Sequence, residues 1–531
     1  EGNFEEVIIE LLKEQGYKYI HGSEIHRQVT DTILLDDLFQ SLYVVNKGNN
    51  ITEEEINEII KKLTSFNTTN IYEINKFIYN ILLKGIKVER NNEVDNDFIA
   101  KIIDFDNIEN NLFKVVNQYE LKDFDQLRIP DVVVFINGLP LVVFELKNVS
   151  NENTTIYNAY EQLTNRYKRD IPSLFYYNAF VVVSDGSNNR YGSFFAPFEQ
   201  FYAWRLIEGK PEEKENDGIY TLYTLIKGLF DKERLLDVIK NFILFPDKTN
   251  SDTKIVARYP QYYGTKKLTD NIIKHIKPNG DGKGGTYFGA TGCGKSYTMV
   301  FLAHSLMTNK KLKNPTLVFI TDRNDLDEQL SQLFLNAKGF IGDSYVKQIE
   351  SRENLKDELN NRRSGGVFLT TIQKFTEALD ILSDRDNIIC ISDEAHRSQT
   401  NLDMSYKTVQ EDNVDKMIQK YGFAKYLRDS FPNATYVGFT GTPIDATLEV
   451  FGEVVDSYDM IESVKDGLTV SITYEGRASK VLLDHKKVQE IEDYYEECVA
   501  EGANEYQIEE SQKNVSSMEV IIGDNDRIKD V

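Results

Sequence analysis

The spacing of apolar residues changes along the chain. It is helical at the start and strand-like in the following part, and in the second half strand-like and helical segments alternate. Helical spacing is found in three early segments: residues 5–16, 53–63 and 71–83. Between about 110 and 190 the spacing becomes that of strands, with apolar runs at 131–136 and 139–147 flanking Asn137-Gly138. The pattern predicts a helical start followed by a sheet that contains a β-hairpin.

The second half of the chain reads as a parallel sheet covered by helices. Short apolar runs bounded by polar or glycine residues predict strands at 285–289, 316–320, 366–370, 387–391 and 434–439. Helical spacing predicts helices at 222–243, 297–307 and 325–334, with acidic helical material at 488–509. The polar, proline-containing segment 246–252 marks the predicted domain boundary.

Composition narrows the class of protein. The chain has 531 residues, too many for one ordinary domain, and 41% of them are hydrophobic. No run of about eighteen apolar residues occurs, so we expect a cytoplasmic protein without membrane contact. Cys293, Cys390 and Cys498 lack the spacing of a zinc site or a disulfide framework. A net charge of −24 argues against nucleic-acid binding by overall charge but leaves room for a local basic track.

One glycine-rich stretch, Gly289–Ser296, fits the phosphate-loop pattern at every required position, between a predicted strand and a predicted helix. Backbone N–H groups from Thr291 to Gly294, freed to bend by Gly292 and Gly294, would point at phosphate oxygens. Lys295 would reach the outer phosphates and Ser296 a magnesium ion. The alternative is a glycine-rich surface loop that matches the pattern by chance.

Two further sequences would complete a nucleotide site. The strand 387–391 runs into Asp393-Glu-Ala-His396, where Asp393 would hold Mg²⁺ with Ser296 and Glu394 would activate the water attacking the γ-phosphate. A helix start with acids favouring its dipole is the alternative. His396 by itself indicates a structural or relay role. About thirty residues before the phosphate loop, Arg258-Tyr-Pro-Gln261 offers a glutamine amide that could read the edge of adenine.

The predicted hairpin places charged residues on one face of an apolar strand pair. If the loop is the three residues Asn137 to Leu139, Asp131 lies across from Glu145, and Lys147 shares their face because it is two residues further along the strand. Such carboxylates suit Mg²⁺, and the lysine could orient or deprotonate an attacking water. The alternative is a turn aspartate followed by exposed charges on an edge strand.

This carboxylate pattern resembles the Asp…Glu-x-Lys signature of the PD-(D/E)xK nuclease superfamily, on Asp131, Glu145 and Lys147. Gln162 and Tyr167, on a predicted helix, resemble the Gln…Tyr element of its RecB-like branch. The resemblance implies that all five residues serve nuclease chemistry. It also implies a glutamate from an N-terminal helix, for which Glu5 and Glu6 are both candidates.

The motifs of the second half, in their order, resemble superfamily 2 helicases and translocases. Thr321-Asp-Arg323 is similar to motif Ia, Thr370-Thr371-Ile-Gln-Lys374 to motif Ib, and Thr440-Gly-Thr442-Pro443 to motif III. The resemblance implies that Arg323, Thr371 and Lys374 contact the DNA backbone, which suits their basic and hydroxyl side chains. It also implies that Thr440 and Thr442, with His396, couple the ATP site to the DNA site.

Taken together, the nuclease-like and helicase-like motifs, which span roughly residues 5 to 470, resemble those of the restriction subunit of type I restriction–modification enzymes. That implies an α/β chain with a mixed-sheet nuclease domain (1–245), a first RecA-like domain (246–470) and an acidic helical linker (471–531). It also implies ATP and Mg²⁺ as cofactors, ATP-driven translocation and cleavage of double-stranded DNA, and modification and specificity subunits as partners.

Two other functions stay open at this point: a repair or phage-defence helicase–nuclease independent of methylation, and a non-catalytic fragment that binds DNA and ATP. Motors of this kind have a second lobe whose arginines complete the ATP site. We therefore expect this chain by itself to bind ATP but to hydrolyse it poorly. The DNA recognition sequence, the translocation step and the cleavage distance are not encoded in any pattern of this chain.

Overall fold

The computed structural model describes residues 2–90, 96–147, 155–210, 213, 220–248, 251–322, 324–375, 381–396, 404–411, 414–421, 423–442, 444–470 and 493. Residues Glu1–Val470 form one compact unit and Ser471–Val531 form another. No helix in the described part of the chain is both long enough and apolar enough to cross a membrane.

The first unit begins with helices and a run of strands, and strands and helices alternate only in its second half. The strands are β1 (Lys18–His21), β2 (Ile86–Val88), β3 (Phe98–Ala100), β4 (Phe113–Asn117), β5 (Leu121–Lys122), β6 (Leu127–Arg128), β7 (Val132–Ile136), β8 (Leu139–Leu146), β9 (Phe180–Ser184), β10 (Asn189–Gly192), β11 (Ile243–Leu244), β12 (Ile255–Val256), β13 (Lys283–Gly289), β14 (Thr316–Thr321), β15 (Val346–Gln348), β16 (Val367–Thr371), β17 (Ile388–Ser392), β18 (Met404–Glu411), β19 (Val414–Tyr421), β20 (Thr435–Thr440) and β21 (Val454–Tyr458). The α-helices are α1 (Gly2–Glu14), α2 (Leu35–Val45), α3 (Glu53–Thr64), α4 (Ile71–Lys84), α5 (Ile156–Glu161), α6 (Lys168–Asp170), α7 (Tyr220–Thr224), α8 (Lys232–Asn241), α9 (Tyr259–His275), α10 (Lys295–Thr308), α11 (Asn324–Leu335), α12 (Lys338–Ile341), α13 (Arg352–Asn360), α14 (Phe423–Ser430), α15 (Asp445–Phe451) and α16 (Met460–Lys465). Two π-helices cover Gln162–Tyr167 and Leu225–Leu229.

The first sheet is mixed and has six strands in the order β1-β4-β7-β8-β9-β10. β1 runs parallel to β4 and β8 parallel to β9, whereas the other neighbours are antiparallel. Every residue of the central strands β7 and β8 is buried. The predicted strand content between 110 and 190 is thereby confirmed, and Glu145, the charged residue of β8, lies in a central strand of the sheet.

The turn between β7 and β8 differs from the sequence prediction. Asn137 (φ 51°) and Gly138 (φ 80°) form a two-residue connection, and Ile136 pairs directly with Leu139, so the three-residue loop was wrong. A bulge between Val134 and Phe135 then shifts the register by one residue, and Val132 pairs with Phe144. Asp131 and Glu145, the next residues outward, therefore lie opposite each other as predicted.

The second sheet has seven parallel strands in the order β15-β16-β14-β17-β20-β13-β21. The predicted parallel sheet is confirmed, because each apolar run in the second half became one of its buried strands. Parallel strands end at the same edge, so the segments that follow β13, β17 and β20 meet there. Those three segments carry the phosphate loop, the Asp393–His396 sequence and the Thr440–Thr442 sequence.

The predicted helical run over 222–243 is helical over most of its length but is divided and not continuous. The chain instead forms α7, the π-helix Leu225–Leu229 and then α8, which begins anew because the Asp231 side chain accepts a hydrogen bond from the Arg234 N–H. α8 packs beside the phosphate-loop helix α10. A buried apolar core that contains Ile8 of α1, Val142 of β8 and Phe439 of β20 connects the two sheets.

Candidate functional site

At the end of the β7–β8 pair, Asp131, Glu145 and Lys147 form a compact charged cluster. Asp131 Oδ2 accepts a hydrogen bond from the Leu146 N–H at 2.6 Å, which ties the carboxylate across to β8. Lys147 Nζ donates to Glu145 Oε1 at 2.7 Å. The strand period and the register together therefore place two carboxylates and one ammonium within contact of each other.

Glu145 is an unusual carboxylate because it is 0% exposed in a central strand. Burial, reinforced by the nearby charge of Asp131, raises its pKa to about 8. Its second oxygen, Oε2, is buried and accepts no well-aligned hydrogen bond from a described residue, although the Tyr167 hydroxyl interacts with this carboxylate. The alternative of an exposed edge-strand charge is therefore excluded for Glu145, and one carboxylate oxygen is left open to a cation.

Gln162 and Tyr167 lie at the two ends of a π-helix that faces this cluster. The Gln162 amide donates to Tyr167 Oη at 3.0 Å, a contact between residues i and i+5 that the wider turn of a π-helix allows. Tyr167 Oη in turn donates to the Ile129 carbonyl at 3.2 Å. Burial and the charge of Glu145 raise the pKa of Tyr167. The structure thus brings all five candidate residues of the carboxylate site together.

The N-terminal helix contributes Glu5 rather than Glu6 to the same edge of the sheet. Glu5 is 7% exposed and accepts hydrogen bonds from the side-chain amides of Asn117 at 3.2 Å and Gln118 at 3.2 Å. The Gln118 N–H donates to the Asp131 carbonyl at 3.4 Å. Glu6 is exposed. Sequence spacing left both glutamates open, because only the packing of α1 on β4 decides which one faces the sheet.

The phosphate loop connects β13 to α10 with its glycines in left-handed conformations. Gly292 has φ 80° and Gly294 has φ 83°. The left-handed conformation requires glycine at Gly294, and a Cβ there, 2.6 Å from Arg258 Nη2, would also displace the guanidinium group. Lys295 Nζ donates to the Gly289 carbonyl at 3.1 Å, and Ser296 follows in the first turn of α10.

The acids after β17 face this loop. Glu394 Oε1 lies 3.7 Å from Lys295 Nζ, and the Glu394 N–H donates to Asp393 Oδ1 at 2.9 Å. Burial and the adjacent Glu394 raise the pKa of Asp393 to about 6. Glu394 has a positive φ of 46°, a strained conformation for a residue with a side chain.

His396, Thr440 and Thr442 form a chain of hydrogen bonds beside these acids. Thr440 Oγ1 donates to the Thr442 carbonyl and accepts from the Thr442 N–H, each at 3.0 Å. Because the hydroxyl proton is already engaged, His396 Nδ1, 2.8 Å away, donates to Thr440 Oγ1. His396 Nδ1 also lies 3.5 Å from Glu394. Thr291 lies near this segment, since a Cβ on Gly441 would be 3.5 Å from its hydroxyl.

A cavity of about 200 Å³ lies beside the phosphate loop. Gln261 Oε1 accepts from the Arg258 N–H at 2.9 Å, and its amide donates to the Gly294 carbonyl at 3.3 Å. Arg258 Nη1 is buried, and no described group accepts a hydrogen bond from it. Tyr202, from the first half of the chain, lines the cavity with its ring 5.0 Å from the Arg258 guanidinium. Sequence reasoning missed Tyr202, for which no local pattern gave a signal.

The residues that the resemblance assigns to DNA contact lie on separate segments of the chain. Arg323 lies outside the described residues. Thr371 ends β16 and is 2% exposed. Lys374 follows in a short 3-10 helix, and its ammonium donates to the Ile349 carbonyl.

The residues fit ATP and Mg²⁺ in different ways. The open Arg258 donor and the glycine loop suit the ring and phosphate acceptors of a nucleotide. Among the described residues, no three His, Cys, Asp or Glu side chains form a ready metal cage. Pairs of carboxylates, completed by water and substrate phosphate, are nevertheless what Mg²⁺ commonly uses. Of the cysteines, Cys293 and Cys390 are buried thiols, and Cys498 lies outside the described residues.

A phosphate loop with paired acids at one edge of a parallel sheet defines the second half as a nucleotide-binding α/β protein of the helicase-like class. Comparison with known families agrees: the SWI2/SNF2 ATPase family matches residues 260–509, and the type I restriction enzyme R protein N terminus matches residues 1–200.

Individual relatives extend the match over nearly the whole chain. The chain is 36% identical to the type I restriction enzyme HindI endonuclease subunit of Haemophilus influenzae, over 92% of this chain and 47% of that protein. It is 34% identical to the putative type I restriction enzyme MjaIXP endonuclease subunit of Methanocaldococcus jannaschii, over 96% and 49% respectively. The chain therefore belongs to the family of type I restriction enzyme endonuclease subunits.

The chain spans about half the length of the curated relatives it matches. Among solved structures, T4 UvsW matches 41% of this chain and 37% of its own, with 13% identity and a TM-score of 0.27. That likeness is partial and adds nothing to the family assignment.

Proposed function

We propose that this chain is the ATP-driven DNA translocase and endonuclease of a type I restriction–modification system. The observation that carries the proposal is a buried Glu145 oxygen left open opposite Asp131, on the same polypeptide as a phosphate loop facing Asp393 and Glu394. Metal-dependent cleavage needs the first arrangement and ATP hydrolysis needs the second. Family membership supports both.

In the proposed motor, the cavity beside Gln261 and Arg258 takes the adenine. The N–H groups of Thr291, Gly292 and Gly294 and the Lys295 ammonium hold the phosphates. Ser296 and Asp393 would hold Mg²⁺, which neutralises charge on the transferred phosphate when bound. Glu394 orients the attacking water. The hydrogen bonds from His396 through Thr440 to Thr442 carry the state of this site towards DNA contacts at Arg323 and Lys374, whereas the buried Thr371 side chain supports that segment from inside the sheet.

In the proposed nuclease, Asp131 and Glu145 would hold Mg²⁺ at the end of the central strands, and Glu5 supports that edge of the sheet. Lys147, 2.7 Å from Glu145, orients or deprotonates the attacking water. Gln162 holds the Tyr167 hydroxyl towards Glu145. We assign this chemistry to a PD-(D/E)xK domain over 1–245 and the motor to 246–470. Modification and specificity subunits are the proposed partners on double-stranded DNA.

The test uses the complete enzyme assembled with its modification and specificity subunits. Asp131→Ala, Glu145→Ala and Lys147→Ala are each expected to abolish cleavage and to leave DNA-stimulated ATP hydrolysis intact, because the two sites lie on different sheets. Lys295→Ala and Asp393→Ala are expected to stop both activities, since translocation precedes cleavage in the proposed mechanism.

Glu5 and Glu6 supply a matched control pair on one helix. Glu5→Ala is expected to reduce cleavage, whereas Glu6→Ala, at an exposed position, is expected to cut at the normal rate. Normal cleavage by Glu145→Ala would remove the nuclease assignment. Cleavage of distant sites by Lys295→Ala would show that cutting does not depend on the motor.

A further inference from the structure

The β5–β6 hairpin presents an exposed apolar tip immediately before the carboxylate site. Phe124 is 64% exposed, Leu127 42% and Ile129 39%. Val29, 41% exposed, lies alongside, because its carbonyl accepts from the Lys122 N–H at 2.8 Å. Single exposed apolar side chains are ordinary on a surface, but four on one short hairpin and the segment bonded to it indicate a contact surface. We call Phe124, Leu127 and Ile129 the hairpin tip.

The tip is held in place, so its exposure is not that of a frayed loop. Asp123, next to Phe124, accepts hydrogen bonds from the Ser173 N–H at 2.8 Å and from the Ser173 hydroxyl at 2.6 Å. On the return strand, Arg128 forms an ion pair with Asp170 at 2.6 Å. These bonds fix both sides of the turn against the segment that follows the π-helix. An aromatic ring on a fixed turn has little conformational entropy to lose on binding.

The tip is continuous with the proposed nuclease site. Ile129 precedes Asp131 by two residues, and its carbonyl accepts a hydrogen bond from the Tyr167 hydroxyl at 3.2 Å. The segment that carries Tyr167 also presents Arg166, Lys168 and Arg169 as exposed cations, although Arg169 shares Asp170 with Arg128. This arrangement matches the chemistry of duplex DNA, whose grooves expose base edges between rows of phosphates. The apolar tip suits the groove, the cations suit the phosphates, and the proposed metal-binding carboxylates lie next to both.

We propose that the hairpin tip enters a groove of the duplex beside the cleaved phosphate, with the Phe124 ring pressed against a base step. Arg166 and Lys168 contact the flanking phosphates and set the position of the tip. Apolar wedges of this kind partly unstack a base step and bend the duplex, which here brings the backbone to the carboxylates. The inference rests on the proposed nuclease function of Asp131 and Glu145.

The experiment compares Phe124→Ala and Phe124→Leu with Phe77→Ala in the complete enzyme. Phe77 is a matched control because it is 50% exposed on α4. Loss of an aromatic base contact is expected to slow duplex cleavage by Phe124→Ala about ten- to a hundredfold. DNA-stimulated ATP hydrolysis should stay unchanged. Phe124→Leu should recover part of the rate, and Phe77→Ala should match the unmodified enzyme.

A photo-crosslinking phenylalanine analogue at position 124 identifies the partner directly. Crosslinks to DNA near the cut support the inference, whereas crosslinks only to a protein subunit overturn it. Full-rate cleavage by Phe124→Ala also overturns it, provided that Glu145→Ala is inactive in the same assay. If Glu145→Ala cuts normally, the nuclease assignment itself fails, and the two failures are thereby distinguished.

Discussion

At the scale of single residues, Glu145 combines a stability cost with its proposed role. Its pKa in the folded chain is about 8, against an ordinary value of 4.5. Because the folded pKa is raised, the fold favours the protonated form. The corresponding stabilisation is complete below pH 4.5 and is lost as the pH rises through 8. Near neutral pH, the folded chain therefore holds Glu145 largely protonated, which costs stability relative to the ionised group in the unfolded chain, and a bound cation would favour the ionised form.

Glu145→Gln is accordingly expected to make the protein more stable while removing cleavage. Near pH 7 the free energy of unfolding should rise by about 3 kcal/mol. The wild-type chain loses that amount because a group with this pKa is mostly protonated in the folded state and ionised in the unfolded state. Urea unfolding followed by the fluorescence of Trp204, the only tryptophan of the chain, measures it. The gain should shrink at pH 6, and Glu6→Gln should show none. A destabilised Glu145→Gln would contradict the raised pKa.

At the scale of elements, the β7–β8 turn sets the register of the carboxylate site. Asn137 is fully buried and bonds the Ile102 carbonyl, the Leu112 N–H and Asn111. Gly138 has a positive φ, and a Cβ there would lie 2.5 Å from the Leu34 carbonyl oxygen. The turn thus joins the central hairpin to the start of α2, and a one-residue slip would turn Glu145 to the other face of the sheet.

Gly138→Ala is therefore expected to destabilise the protein by about 1–3 kcal/mol or more, through backbone strain and the clash with α2. Gly48→Ala is the matched control, because a Cβ at Gly48 has no described atom within 4 Å. Thermal unfolding compares the two variants. If they melt at the same temperature, the turn does not constrain the hairpin as the structure indicates.

At the scale of the whole molecule, a buried ion pair connects the first half of the chain to the end of helix α16. Arg205 pairs with Asp466, whose other oxygen accepts the hydroxyls of Tyr259 at 2.8 Å and Tyr458 at 2.7 Å. The side chains of Arg205 and Asp466 are only 9% and 5% exposed. Trp204, next to Arg205, is buried among Tyr191, Tyr262 and Tyr263 and reports on this contact.

Arg205→Ala should cost about 3–5 kcal/mol, because it leaves the Asp466 carboxylate buried without its cation. Trp204 fluorescence during urea unfolding measures the loss, and Arg205→Ala combined with Asp466→Asn should recover part of it. Lys13→Ala breaks an exposed pair with Glu10 and should cost less than about 1 kcal/mol. Equal costs for Arg205→Ala and Lys13→Ala would mean that the pair does not join the two halves.

Local chemistry explains which predictions succeeded. The strand period placed Asp131 opposite Glu145 even though the loop length was wrong, because the bulge restored the register. The strand–loop–helix order around Lys295 and the strand before Asp393 were also confirmed, because both follow from local apolar spacing. The helical run over 222–243 was confirmed except for its division, because apolar spacing does not reveal that Asp231 starts a new helix or that Leu225–Leu229 widens into a π-helix.

The sequence by itself determined the central strands of both sheets, their order along the chain and the functional residues at their ends, since these depend on the period of the backbone and on short-range turn chemistry. Tertiary structure alone decided that Glu5 rather than Glu6 faces the sheet and that Tyr202 lines the cavity beside Gly294. It also decided that Arg205 meets Asp466 more than 250 residues away. Such contacts depend on how helices and sheets pack across long stretches of chain, and no local spacing encodes that packing.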